Sequence, residues 1–174
     1  MGFILLLFAL PLHIIALLED ILIAQLYAAE PELSDALITA YSLELENLRT
    51  LLKIPLLPVF SIGFSGASHT IRQYAWGENV VFGYDFAKGI RQNGRQMAML
   101  ALLVGCVNYI CVACSNLSFT TTDSLAANMV YLPVAIALFI GIPLSAYMTV
   151  CIPVYCNTFL QNIRLSAVLL LHTT

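Results

Sequence analysis

Apolar runs long enough to cross a membrane dominate this sequence. Residues 2–18 form one such run, interrupted only by His13, and others follow along the chain. A helix needs about 20 apolar residues to cross a bilayer core of about 30 Å. Hydrophobic residues make up 60% of the 174 residues and charged residues 10%, against about 45–50% and about 25% in a soluble domain. The sequence therefore predicts an all-α integral membrane protein, a polytopic bundle of transmembrane helices.

Four segments are predicted as spans, and a fifth apolar run begins near the end of the sequence. The spans are predicted at about residues 2–27, 51–71, 97–114 and 129–156, with a partial fifth at 165–174. All belong to one membrane domain, residues 1–174. The first basic residue is Arg49, so the first segment is predicted as a mature span and not as a cleaved signal peptide. The fifth run stops before crossing: it is re-entrant, is covered by a partner, or continues in a longer natural chain.

An amphipathic pattern covers residues 82–97, just before the predicted third span. One arc of this helix carries an apolar set with a single polar member: Phe82, Phe86, Ile90, Asn93 and Met97. Lys88, Arg91 and Arg95 cluster on the opposite side. The pattern predicts an interfacial helix whose three cations contact anionic lipid phosphates of the cytoplasmic leaflet. A docking helix for a partner protein is the alternative. Asn93 is a candidate intramembrane polar residue, and a hydrogen bond to another span would explain its position.

The distribution of Lys and Arg predicts the orientation of the chain in a cell membrane. Residues 72–96 carry four basic residues, and residues 115–128 carry none. Basic loops favour the cytoplasmic side. Residues 72–96 and 157–164 are therefore predicted to be cytoplasmic, and residues 115–128 to be outside. Arg49 and Lys53 oppose this orientation, although a cluster of acidic residues just before them is available to pair with them.

Charge and cysteine spacing argue against several functions. The seven Lys and Arg against ten Asp and Glu give a net charge of -3, which supplies no basic field for the phosphates of a nucleic acid. Cys106, Cys111 and Cys114 fan around a helix instead of converging, so they are expected to pack as small apolar residues. No metal, cofactor or nucleic acid is predicted.

Two further sets of residues are candidate sites. Glu19 and Asp20 lie in the first predicted span, and a carboxylate inside a bilayer is costly and by default functional. If that span is centred near Ile14 they lie at its outer boundary, whereas centring near Leu18 buries them and allows a role coupled to protons or cations.

Small residues in the second predicted span form the other set. Gly63, Gly66 and Ala67 are candidates for helix packing, because small residues let helices approach closely. Ser65 completes a G-x-S-G pattern like that of rhomboid-type intramembrane serine proteases. That chemistry needs a facing histidine, and His69 lies on the same helix as the serine.

A series of short motifs extends over about residues 50–170. Residues 54–63 contain two prolines and end in Ile-Gly, and residues 72–78 form a loop with Arg and Gly-Glu. Residues 85–93 follow with Asp-Phe and Gly-Ile-Arg-Gln-Asn. Together with residues 152–155 and 162–167, these motifs resemble the YesL-like family of small bacterial integral membrane proteins of unassigned function. The resemblance implies a helical protein often found beside carbohydrate uptake systems. The chain departs from the family pattern in its long first span and in lacking a full last span.

The sequence favours a non-enzymatic integral membrane protein, an accessory or partner subunit linked to the transport of a solute such as a carbohydrate. Its expected partners are the lipid bilayer and a transport protein or further copies of itself. A self-contained small transporter or channel is the alternative, with Glu19 and Asp20 lining a path. A rhomboid-like protease is the remote alternative.

Overall fold

The computed structural model describes residues 2–29, 35–120, 124–155 and 157–173. In these residues helices account for nearly the whole chain and no β-strand occurs, which confirms the predicted all-α class. The helices are α1 (Gly2–Ala29), α2 (Asp35–Ala75), α3 (Phe82–Thr120), α4 (Ser124–Ile136), α5 (Ile142–Val154) and α6 (Phe159–Thr173). A π-helical turn, Ala137–Gly141, joins α4 to α5.

Three of the described segments are long and apolar enough to cross a membrane: Thr39–Ala75, Phe82–Leu117 and Val130–Val154. Helices α2 and α3 contain 41 and 39 residues. At about 1.5 Å per residue each is roughly 60 Å long, about twice the thickness of a bilayer core. Both helices are therefore too long to lie entirely within one membrane at an ordinary tilt.

The helix that contains the third predicted span, 97–114, extends beyond it at both ends. The sequence predicts an interfacial helix at residues 82–97 that leads into this span, and an outer loop at residues 115–128. In the structure α3 is continuous from Phe82 to Thr120, because no proline interrupts its hydrogen bonds, so residues 115–120 are helical and not part of a loop. Near its end, the side-chain amide of Asn116 donates to Asn47 Oδ1 of α2 at 3.0 Å.

The fourth predicted span, 129–156, is divided by the π-helical turn. The N–H of Ile142 bonds to the carbonyl of Ala137, five residues earlier. The next residue, Pro143, has no N–H to donate to the carbonyl of Phe139, so the regular α-helical pattern cannot continue there. The helix is therefore interrupted at Pro143 in the form of a π-helical turn. Cys156, the last residue of that predicted span, lies outside the described residues.

Helices α2 and α3 form a long antiparallel hairpin with very close backbone contact. A Cβ atom added to Gly89 of α3 would lie 2.5 Å from Cβ of His69 and 3.1 Å from Cα of Gly66 on α2. Farther along, the same added atom at Gly105 would lie 3.5 Å from Cα of Ile54. The connection between the helices turns at Gly77, whose φ of 73° suits glycine.

An apolar core attaches α5 and α6 to this hairpin. Met97 and Leu100 of α3 pack with Met148 and Ile152 of α5, and all four are buried. Phe64 of α2, with Phe159 and Ile163 of α6, packs against them. This core fixes the C-terminal helices beside the middle of the hairpin.

Candidate functional site

The closed end of the α2–α3 hairpin, residues 69–95, is held by hydrogen bonds at its turn; we call it the hairpin end. The N–H of Glu78 donates to the carbonyl of Gln73 at 3.1 Å. The N–H of Val81 donates to Asp85 Oδ2 at 2.8 Å, and Asp85 is buried. A carboxylate at a helix N-terminus satisfies a free backbone N–H and is favoured by the helix dipole. These hydrogen bonds therefore hold the turn between α2 and α3 in place.

Polar side chains fill the interior of the hairpin end and the adjoining turn of α2. Ser65 and Thr70 are buried, and their hydroxyls donate to the carbonyls of Ile62 at 2.7 Å and Gly66 at 2.9 Å. His69 is only 2% exposed. Its Nδ1 lies 3.4 Å from a guanidinium nitrogen of Arg72, and its Nε2 has no hydrogen-bond partner among the described residues.

Arg72 connects the hairpin end to α5. Its guanidinium donates to the carbonyl of Pro153 and lies 5.0 Å from the centre of the Trp76 ring. Helix α5 ends at Val154 without a basic residue in its last turn. The carbonyls at a helix C-terminus need donors, and a cation there is favoured. Arg72 supplies both from α2.

Gln96 and Asn162 make a second polar connection, between α3 and the turn that joins α5 to α6. The Gln96 amide donates to the carbonyl of Asn157 at 2.9 Å, and the Asn162 amide donates to Gln96 Oε1 at 2.9 Å. Asn162 is fully buried. Neither residue is among the candidate site residues that the sequence predicts. The feature of the sequence that points to them is an amide side chain beside an apolar run in each helix.

Large apolar side chains cover the outside of the hairpin end. Tyr74 is 79% exposed, Trp76 62% and Tyr84 68%. Ile71 and Val81 are also exposed. In other proteins, exposed apolar groups of this kind are common where the protein contacts a partner or a membrane.

One face of α3 changes from cationic to apolar within a single turn. Tyr84, Lys88, Arg91 and Arg95 follow the spacing of one helix face; Arg91 and Arg95 are exposed and Lys88 is half-buried. The same face continues with Met99 and Leu102, which are exposed and apolar. The change of character falls between Arg95 and Met99.

The other sequence-predicted residues lie in separate places. Gly63, Gly66 and Ala67 are buried on α2, and Gly66 contacts α3, where an added Cβ would lie 2.8 Å from the carbonyl oxygen of Phe86. Asn93 is half-buried on α3. Asp20 is exposed on α1, and the side chain of Glu19 lies outside the described part of the structure.

The structure offers no assembled metal centre in its described part, where no group of three His, Cys, Asp or Glu side chains could hold an ion. Comparison of the chain with models of protein families, with curated proteins and with solved structures found no match.

Proposed function

We propose that this protein is a non-enzymatic accessory subunit of a membrane transport assembly and that the hairpin end contacts its partner. The observation that carries the proposal is the exposure of three aromatic side chains at the hairpin end, Tyr74, Trp76 and Tyr84. What these side chains contact depends on how far the hairpin end lies from the bilayer. The change along α3 from exposed basic to exposed apolar side chains allows this distance to be estimated.

In this proposal the membrane boundary lies between Arg95 and Met99. Beyond it, exposed apolar side chains continue along α3 as far as Leu117. From Met99 to Leu117 the helix rises about 27 Å, close to the roughly 30 Å of a bilayer core. In the other direction, Phe82 lies about 20 Å from Arg95 along the helix. The hairpin end thus projects well beyond the acyl region.

Exposed aromatic groups at that distance favour a protein partner over lipid. Burying apolar surface contributes about 25 cal/mol per Å², and aromatic side chains are enriched at protein interfaces. In this proposal the basic side chains of α3 have a different role from the aromatic side chains. Arg95, nearest the boundary, contacts lipid phosphates together with Lys88 and Arg91, or guides an acidic partner surface to the hairpin end.

The topology and location form part of the same proposal. The apolar α1 adds a fourth span and α6 a partial fifth, and the hairpin end is cytoplasmic because basic segments favour that side. The resemblance to the YesL-like family favours a bacterial cell membrane and a carbohydrate transport system. Burial of Ser65, with its hydroxyl donated to Ile62, favours helix packing over proteolysis for this serine.

Co-purification from native membranes tests the proposal. The double variant W76A/Y84A removes two exposed rings of the hairpin end, and M99A/L102A removes two exposed apolar side chains from the lipid-facing part of the same helix. We expect the wild type and M99A/L102A to retain a stoichiometric transport subunit. The W76A/Y84A variant should lose it by about tenfold or more, equivalent to about 1.4 kcal/mol.

Trp76 provides an independent measure, because it is the single tryptophan in the sequence. In the purified protein in nanodiscs, a projecting hairpin end makes its fluorescence sensitive to acrylamide and insensitive to brominated lipids. Quenching by brominated lipids would show that the rings lie in the interface and would contradict the partner surface. Purification of the chain alone or as a homo-oligomer would contradict the accessory role and favour a self-contained transporter.

A further inference from the structure

A cavity of about 300 Å³ lies between α2, α3 and α5. Its walls include Phe60 and Phe64 of α2, Met97 and Leu100 of α3, and Ser145 and Thr149 of α5. Their predominantly apolar character indicates the class of molecule that the cavity can accept. Among the residues that the structure describes, no charged side chain lines it.

The hydroxyl groups in the wall are already used within their own helices. Ser61 donates to the carbonyl of Pro58 at 2.8 Å, Ser145 to that of Ile142 at 2.8 Å, and Thr149 to that of Ser145 at 2.7 Å. A polar solute or an ion would lose its hydration without gaining donors or charges in return. Water is also disfavoured, because it needs two to four polar partners. The chemistry of the wall therefore favours an apolar occupant.

The depth of the cavity identifies the source of that occupant. The α3 part of the wall begins at Met97 and extends to Val104, directly after Arg95, where the exposed face of α3 becomes apolar. All three walls belong to segments capable of crossing a membrane. With the membrane boundary of the proposed function, on which this step rests, the cavity lies beside the acyl chains of the leaflet whose headgroups meet Arg95.

Acyl chains are the apolar molecules that surround a protein within the bilayer core. A flexible acyl chain can follow the irregular apolar wall formed by the three helices. We propose that the cavity binds one acyl chain of a phospholipid from the leaflet at the hairpin end.

Photo-crosslinking in nanodiscs tests this site. The probe is a phosphatidylglycerol with a diazirine in its acyl chain, in a phosphatidylcholine bilayer, and labelled positions are mapped by mass spectrometry. We expect labelling to concentrate on the cavity wall, at Phe60, Phe64, Met97 and Leu100. Labelling spread evenly over the lipid-facing surface, such as Leu102 and Leu138, would show only annular lipid and overturn the proposal.

Two neighbouring variants provide the matched comparison. Ala101→Phe fills the cavity from α3, whereas Leu102→Phe adds an aromatic ring at the adjacent lipid-facing position. We expect A101F to lower labelling of Phe60 and Phe64 about tenfold, equivalent to about 1.4 kcal/mol, and L102F to leave it unchanged. If A101F does not fold, the smaller Ala101→Leu replaces it. Equal labelling in a folded filling variant, or labelling of the wall by a water-soluble diazirine, would contradict an acyl-chain site.

Discussion

At the scale of single residues, the contact between Gly66 and Gly89 determines how closely α2 and α3 approach. The space normally occupied by a side chain at Gly89 is taken by Cβ of His69 and by the backbone of Gly66. Neither group can move without separating the helices. Small residues have this role in many helix interfaces within membranes, where van der Waals packing drives association.

A methyl group at position 89 tests this contact. We expect Gly89→Ala to lower the free energy of unfolding by about 1–3 kcal/mol, the usual cost of overpacking. Gly83→Ala is the matched control in the same helix, because an added Cβ there has nothing within 4 Å, and its higher helix propensity favours stability by up to about 1 kcal/mol. Thermal unfolding in detergent measures both. Equal stability of the two variants would contradict the close contact.

At the scale of elements, the π-helical turn between α4 and α5 shows how one proline changes a span. Pro143 cannot donate to the carbonyl of Phe139, and Ile142 bonds instead to Ala137. The turn therefore has a local chemical cause. A π-helical turn also rotates the faces of the helix that follows it. That helix is α5, whose Met148 and Ile152 lie in the core.

Restoring the missing N–H at position 143 should remove the π-helical turn. In Pro143→Ala, we expect residues 137–141 to become α-helical, as measured by backbone carbon chemical shifts in solid-state NMR. Pro133→Ala is the control, because Pro133 lies within α4, before the turn, and its substitution should leave the turn in place. Persistence of the turn in P143A would show that packing, and not the proline, determines it.

At the scale of the whole molecule, two polar connections place the hairpin end and the α5–α6 turn at one end of the bundle. Arg72 contacts Pro153, and Gln96 contacts Asn157. These bonds join groups far apart in the sequence and near the ends of apolar segments. The two connections are therefore expected to lie on the same side of the membrane.

Cysteine labelling in intact cells and inverted vesicles tests this arrangement. We expect Glu78→Cys and Thr158→Cys, introduced separately into a variant without the five native cysteines, to react with a membrane-impermeant maleimide from the cytoplasmic side. Ser42→Cys, an exposed position toward the other end of α2, should react from the outside. Labelling of positions 78 and 158 from opposite sides would contradict the orientation of the bundle.

Helix content and the approximate positions of the apolar segments could be predicted from the sequence, because both depend on local composition. The basic set Lys88, Arg91 and Arg95 was also visible as one helix face. The buried polar contacts could not be predicted from the sequence. The sequence indicates Arg72 only as a charge in a loop, yet it bonds to Pro153 of α5. It indicates Asn162 only as one residue of the 162–167 motif, yet that side chain is fully buried.

The sequence by itself determined an all-α protein with helices suited to a membrane, since the length and apolar character of a segment are properties of neighbouring residues. Only the tertiary structure decided that Gly89 meets Gly66 and that Gln96 meets Asn162. Such contacts join residues distant in the chain. Their geometry depends on how the helices pack against each other, which periodicity and composition do not specify.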